Sequence, residues 1–140
     1  MAEKKLLVAV DGSRHSGNVL EKAIEFSRLL NAELLLVHCH KKFPKYLGEP
    51  DREKAITETI LEAEETVDPF RQQLTEAGVI FTERLMEEPA GSVIPNIAEI
   101  EKCDMIIMGS RGLTDLEGLI VGSVTHRVLH LATCPVLVVK

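Results

Sequence analysis

Two glycine turns hold the residues of this chain best placed to do chemistry. Gly109-Ser110-Arg111-Gly112 is followed, nine residues later, by Gly122-Ser123. Glycine lets a backbone come close to a ligand and take a positive φ. The apolar run Met105-Ile106-Ile107-Met108 precedes the first turn and reads as a buried strand, while Val124 to Leu131 follows the second and reads as a helix. A helix start offers unpaired N–H groups and the positive end of a dipole. A strand, two small turns and a helix start read as an anion site, most often one for phosphate, the alternative being plain turn chemistry. Ser123 adds a hydroxyl donor and Arg111 a cation. Asp11, in Asp11-Gly12-Ser13 after a first apolar run, is the other group of interest. A carboxylate at a strand end accepts hydrogen bonds from ribose hydroxyls. The alternative role for Asp11 is to cap the helix that follows.

Two common phosphate motifs are absent. The glycine segment has no Gly-Lys-Ser or Gly-Lys-Thr, so it lacks the lysine that reaches terminal phosphates in the common NTPases. The closely spaced glycines of the dinucleotide fingerprint do not follow the first strand.

The elements that must position these residues alternate along the chain. Leu6 to Val10 is a continuous apolar run, the pattern of a strand covered on both faces. Val19, Ala23, Phe26 and Leu30 lie on one face of a first helix, with Ser13 or Ser16 as its cap. Glu33 to His38 reads as strand two, and Cys39 to Pro50 as a loop. Ile56, Ile60, Ala63, Val67, Phe70, Leu74 and Ala77 recur at spacings of four and three, a long helix. Pro69 predicts a kink or a break in it, with Asp68 available to cap a second piece. Gly78 closes that helix, and strand three runs from Val79 to about Leu85. Glu87-Glu88-Pro89 is a turn. A third helix runs from about Ala90 to Glu101, with Val93, Ile94, Ile97 and Ala98 inward and Pro95 in its first turns. Asp104 to Met108 is strand four and Val136 to Val139 strand five.

Strands alternating with helices predict one α/β domain over residues 1–140, a doubly wound parallel sheet with helices on both faces. Such sheets bind ligands past the carboxyl ends of their strands, where the strand order reverses. Strands one and four end in ligand-type residues, which predicts the order 3-2-1-4-5. The order 2-1-3-4-5 would put strand three, ending in Glu83-Arg84-Leu85, beside strand one, with no glycine to open a crevice. Strand five is then a sheet edge of four apolar residues, which predicts antiparallel pairing with a second copy about a twofold axis.

Composition sets the outer bounds. The chain has 140 residues, 45% of them hydrophobic and 27% charged, as in a globular protein with a real core. A net charge of −6 argues against general affinity for nucleic acid or anionic membrane, so the anion must be held locally. There is no run of about 18 apolar residues and no signal-peptide pattern. Three cysteines without CxxC spacing fit a reducing cytoplasm.

The pattern Gly109-x2-Gly112-x9-Gly122-Ser123, an aspartate ending strand one and the final Cys-Pro-Val-Leu-Val-Val together resemble the ATP-binding members of the universal stress protein family. The resemblance spans the whole chain and implies the order 3-2-1-4-5, a homodimer and bound ATP with Mg²⁺ carried on the phosphates. Position by position, it implies that Ala9, Val10, Asp11 and Val37 hold the adenine and ribose end. Met108, Gly109, Arg111 and Gly112 would line the ribose and phosphate path, and Gly122, Ser123 and Val124 would hold the phosphates. Thr125 is compatible with a further hydroxyl contact.

Three rival readings differ in testable ways. A phosphoacceptor receiver needs an acidic pair after strand one and an aspartate ending strand three, and neither is present, although Lys140 fits. A metal-dependent domain would draw on His38-Cys39-His40 or on the helical pair His126/His130, but no carboxylate stands at motif spacing beside either. A dedicated ATP hydrolase would need a general base near the glycines, and none is visible. Slow Mg²⁺-assisted hydrolysis is the most that this set of residues suggests.

Overall fold

Leu6, Leu7 and Val8 are all fully buried, although successive residues of a strand point to opposite faces. Leu6 and Val8 pack with Leu34, Leu36 and Ile107 beneath helix residues Val19, Leu20, Ala23, Ile24, Val67 and Leu74. Leu7 packs on the other face with Leu35, Val37, Ile106 and Met108 against Ile94, Ile97, Ala98 and Val128. The sheet thus separates two cores, and the continuous apolar runs follow from that. Each fully buried leucine or isoleucine contributes about 1.5–3 kcal/mol.

In the computed structural model the elements run β1 (Lys4–Ala9), α1 (Ser16–Leu30), β2 (Ala32–His40), α2 (Asp51–Glu76), β3 (Phe81–Glu87), α3 (Ala90–Ile100), β4 (Met105–Gly109), α4 (Ser123–Leu131) and β5 (Val136–Val139). The structure describes residues 4–112 and 120–140; residues 1–3 and most of the spacer between Gly112 and Gly122 lie outside the described residues. The five strands form one parallel sheet in the order β3-β2-β1-β4-β5. In register, Val8 stands between Leu36 and Ile107, and Ile107 stands beside Leu137. Helices α1 and α2 cover one face, and α3 and α4 the other. β1 and β4 are therefore the neighbours whose following helices leave in opposite directions, and a crevice opens above their ends.

Four local expectations are corrected. α2 runs unbroken through Pro69, with Asp68 inside it and not at a cap. Glu65 and Pro69 are exposed, so the carbonyl that loses its donor faces water, while buried Ala63, Val67 and Leu74 anchor both halves. Arg71 then ties α2 to β3 by a bidentate pair with Glu83, at 2.6 and 2.9 Å. β3 starts at Phe81 and not Val79, because Val79 N–H donates to Leu74 O and closes the helix after Gly78, at φ 70°. β2 extends to His40, since β3 continues beside it to Glu87. Leu30 and Ile60, placed on buried helix faces, are exposed, and Leu20 and Ile24 are buried in α1.

Candidate functional site

The end of β1 is built around Asp11. Its Oδ1 accepts from Ser13 N–H at 2.9 Å and from the Ser16 hydroxyl at 3.0 Å. Ser16 Oγ in turn accepts from Asp11 N–H and Gly12 N–H, both at 3.2 Å. Neither Ser13 nor Ser16 caps α1; His15 occupies the cap, and Ser16 is the first helical residue with its hydroxyl turned back to the strand end. Gly12 has φ +83°, and a Cβ there would stand 2.7 Å from the Thr66 methyl of α2. Both the backbone angle and the close approach of α2 require glycine at this position.

The end of β4 is joined to α4 by two bonds. Gly122 N–H donates to Ser110 O at 2.6 Å, and Thr125 Oγ1 donates to Gly109 O at 2.7 Å. These contacts set the first turn of α4 beside the strand end. The Thr125 hydroxyl, expected to be available to a ligand, is used in this join. Gly122 is extended at φ −73° and ψ 167°, a conformation that does not call on the left-handed freedom of glycine. A Cβ on Gly109 would sit 3.2 Å from Arg111 O and 3.4 Å from a Val19 methyl.

β2 overhangs β1. Val10 N–H donates to Val37 O at 3.0 Å, the last bond between these strands. By the two-residue period of a strand, the backbone of Cys39 faces the same side, past the point where β1 has ended. His38 is buried, and its Nδ1 lies 2.8 Å from Val10 O. A carbonyl only accepts, so Nδ1 carries the proton. The His40 ring pairs instead with Lys41 O. Burial, with Glu88 adding to it, pushes the Cys39 thiol up to about 11.

A cavity of about 290 Å³ joins these three strand ends. Of the residues singled out from sequence, Ala9, Val10, Asp11, Val37, Met108, Gly109, Arg111, Gly112 and Val124 line it. Gly122 and Ser123 do not; Gly122 is buried against Ser110 and Ser123 is exposed at the helix start. Sequence reasoning missed the wall made by Thr59, Glu62, Ala63 and Thr66 of α2, along with Glu88, and gave Ser16, His38 and Cys39, which also line the cavity, other roles as a helix cap and as metal ligands. Ser16 had a local signal, since Asp-x-Ser-x-x-Ser spaces two hydroxyl residues to reach back to a carboxylate. The α2 wall had none, because it depends on how that helix crosses the sheet. Among the described residues, no three His, Cys, Asp or Glu side chains come together as a metal site.

The model of the universal stress protein family matches residues 3–140. The chain belongs to the universal stress protein family. A universal stress protein of Thermus aquaticus, from the QAH/OAS sulfhydrylase 3′ region, is 37% identical over 139 residues, with 98% of each chain covered. Among solved structures, the hypothetical protein MJ0577 is 29% identical with a TM-score of 0.87, covering 100% of this chain and 97% of its own. More distant members share the fold and were solved with adenine nucleotides. One in complex with cAMP is 20% identical with a TM-score of 0.73, covering 100% of this chain and 99% of its own. The Archaeoglobus fulgidus universal stress protein with dAMP is 22% identical at 0.63, with both chains fully covered. An Arabidopsis thaliana member with AMP bound is 21% identical at 0.70, covering 98% and 91%. The order β3-β2-β1-β4-β5 belongs to the fold this chain shares with them.

Proposed function

We infer that this universal stress protein binds ATP in the cavity between the ends of β1 and β4 and acts as a stress-response or signalling module, not as an enzyme. The observation that carries the reading is the meeting of Asp11, the Gly109–Gly112 turn and the start of α4 around one cavity. The donor set suits the ligand. Ala9, Val37, Ile94 and Met108 give an apolar slot for a base. Cys39, past the end of β1, presents a backbone donor and acceptor side by side, matching N1 and the N6 amino group of adenine. Asp11 stands at the sugar, and Arg111 and the first turn of α4 suit phosphates. Mg²⁺ would be carried on the phosphate oxygens, where it offsets their charge. The adenine nucleotides bound by relatives of this fold support the same ligand class. The reading extends to a homodimer through β5.

Asp11→Asn tests the sugar end. Asparagine keeps an Oδ1 acceptor for Ser13 and Ser16, so the turn should survive, but it loses the charge. ATP binding by calorimetry should weaken by about 1–3 kcal/mol, the scale of a hydrogen bond to a charged group. The loss should be equal with and without Mg²⁺. An unchanged affinity contradicts the assignment, and a loss confined to Mg²⁺ would make Asp11 a metal ligand.

A further inference from the structure

Ser16 is 2% exposed, yet it lines the cavity. A serine hydroxyl has one proton and two lone pairs. Here the proton goes to Asp11 Oδ1, and the lone pairs receive Asp11 N–H and Gly12 N–H. That hydroxyl is saturated by the protein and has nothing left to offer a ligand. Its effect must pass through Asp11. With Oδ1 held by both Ser16 and Ser13 N–H, the carboxylate plane is fixed relative to the cavity.

We propose that Ser16 is a positioning residue for nucleotide recognition: it clamps the Asp11 carboxylate in the orientation that reads ribose hydroxyls. The clamp joins α1 to the end of β1, because Ser16 opens the helix while its three partner atoms lie in residues 11 and 12. Gly12, at φ +83°, turns the chain that follows it so that the helix start carrying Ser16 comes back over these two N–H groups. The inference rests on the nucleotide reading above and gives one side chain in it an indirect role. Removing the hydroxyl should loosen discrimination at the sugar more than affinity at the base or phosphate.

The test is the ratio of affinities for AMP and 2′,3′-dideoxy-AMP, measured by calorimetry on intact protein. The ratio cancels a general loss of folded protein, which affects both ligands alike. The unaltered protein should prefer AMP by about ten- to a hundredfold, the worth of hydrogen bonds to a charged group. Asp11→Asn should collapse that preference. Ser16→Ala should reduce it at least threefold, and Ser16→Thr, which keeps a hydroxyl, should restore it. Ser27→Ala, a buried serine of the same helix whose hydroxyl bonds Ile24 O, is the control and should leave the ratio unchanged. If Ser16→Ala does not fold, Ser16→Cys replaces it, since a thiol of similar size is a poor donor and should also lower the ratio. A preference that falls in Asp11→Asn but persists in folded Ser16→Ala or Ser16→Cys overturns the role of Ser16 alone. A preference missing from the unaltered protein, or surviving Asp11→Asn, overturns the sugar reading and this proposal with it.

Discussion

Cys39 reports on the cavity at the scale of one residue. It lies on the overhang of β2, against the apolar slot, with Glu88 nearby. Taking a thiolate out of water is unfavourable, and the carboxylate adds repulsion, so its pKa rises from 9.0 to about 11. The thiolate is the species that reacts with alkylating agents. Alkylation of Cys39 by iodoacetamide should therefore be slow at pH 8 and rise about tenfold per pH unit until about pH 11. A saturating adenine nucleotide should slow it further, while Cys134, outside the cavity lining, should keep its rate. Peptide mapping by mass spectrometry separates the two sites. Equal protection of both cysteines, or of neither, would place the ligand elsewhere.

At the scale of elements, the sequence and the structure part in a consistent way. The five strands and their order were legible, because apolar runs and turn residues are local signals and right-handed crossovers restrict the topology. Gly78 closing α2 was legible for the same reason. What escaped depends on contacts between elements. Pro69 looked like a breaker, but buried residues on both sides of it hold α2 together. Leu30 and Ile60 fit a helical period, yet 37% and 42% of their surface stays exposed. In the cavity, the β4 turn and Asp11 stood out as glycines and an acid at strand ends. The α2 wall was invisible, since Thr59, Glu62 and Thr66 look like ordinary helix surface until that helix is laid beside Gly12. The role expected of Thr125 changed because its hydroxyl is needed to seat α4 on Gly109.

At the scale of the whole molecule, β5 is an edge strand that pairs with β4 on one side. Pro135 O and Val139 O accept from β4 and the residue after it, so by the strand period the backbones of Val136 and Val138 face outward. That row can pair with the same row of a second copy, which closes the assembly. Val138→Pro should remove an outward donor without breaking a β4–β5 bond. Light scattering should then show a dimer for the unaltered chain and a folded monomer for the variant. Circular dichroism checks the fold. A dimer that survives the substitution, or an unaltered chain that is monomeric at micromolar concentration, contradicts the β5 interface.

An amide-resolved NMR titration with MgATP tests the cavity and the class of ligand together. Backbone amides of Val10, Asp11 and Gly12, of Cys39, of Gly109 through Gly112 and of Ser123 through Thr125 should shift as a saturable set. Amides around the separate depression formed by Arg28, Asn31, Gly78 and Ile80 should stay in place. No saturable shift at millimolar nucleotide, or a set of shifts centred away from the ends of β1 and β4, would contradict nucleotide binding in this cavity.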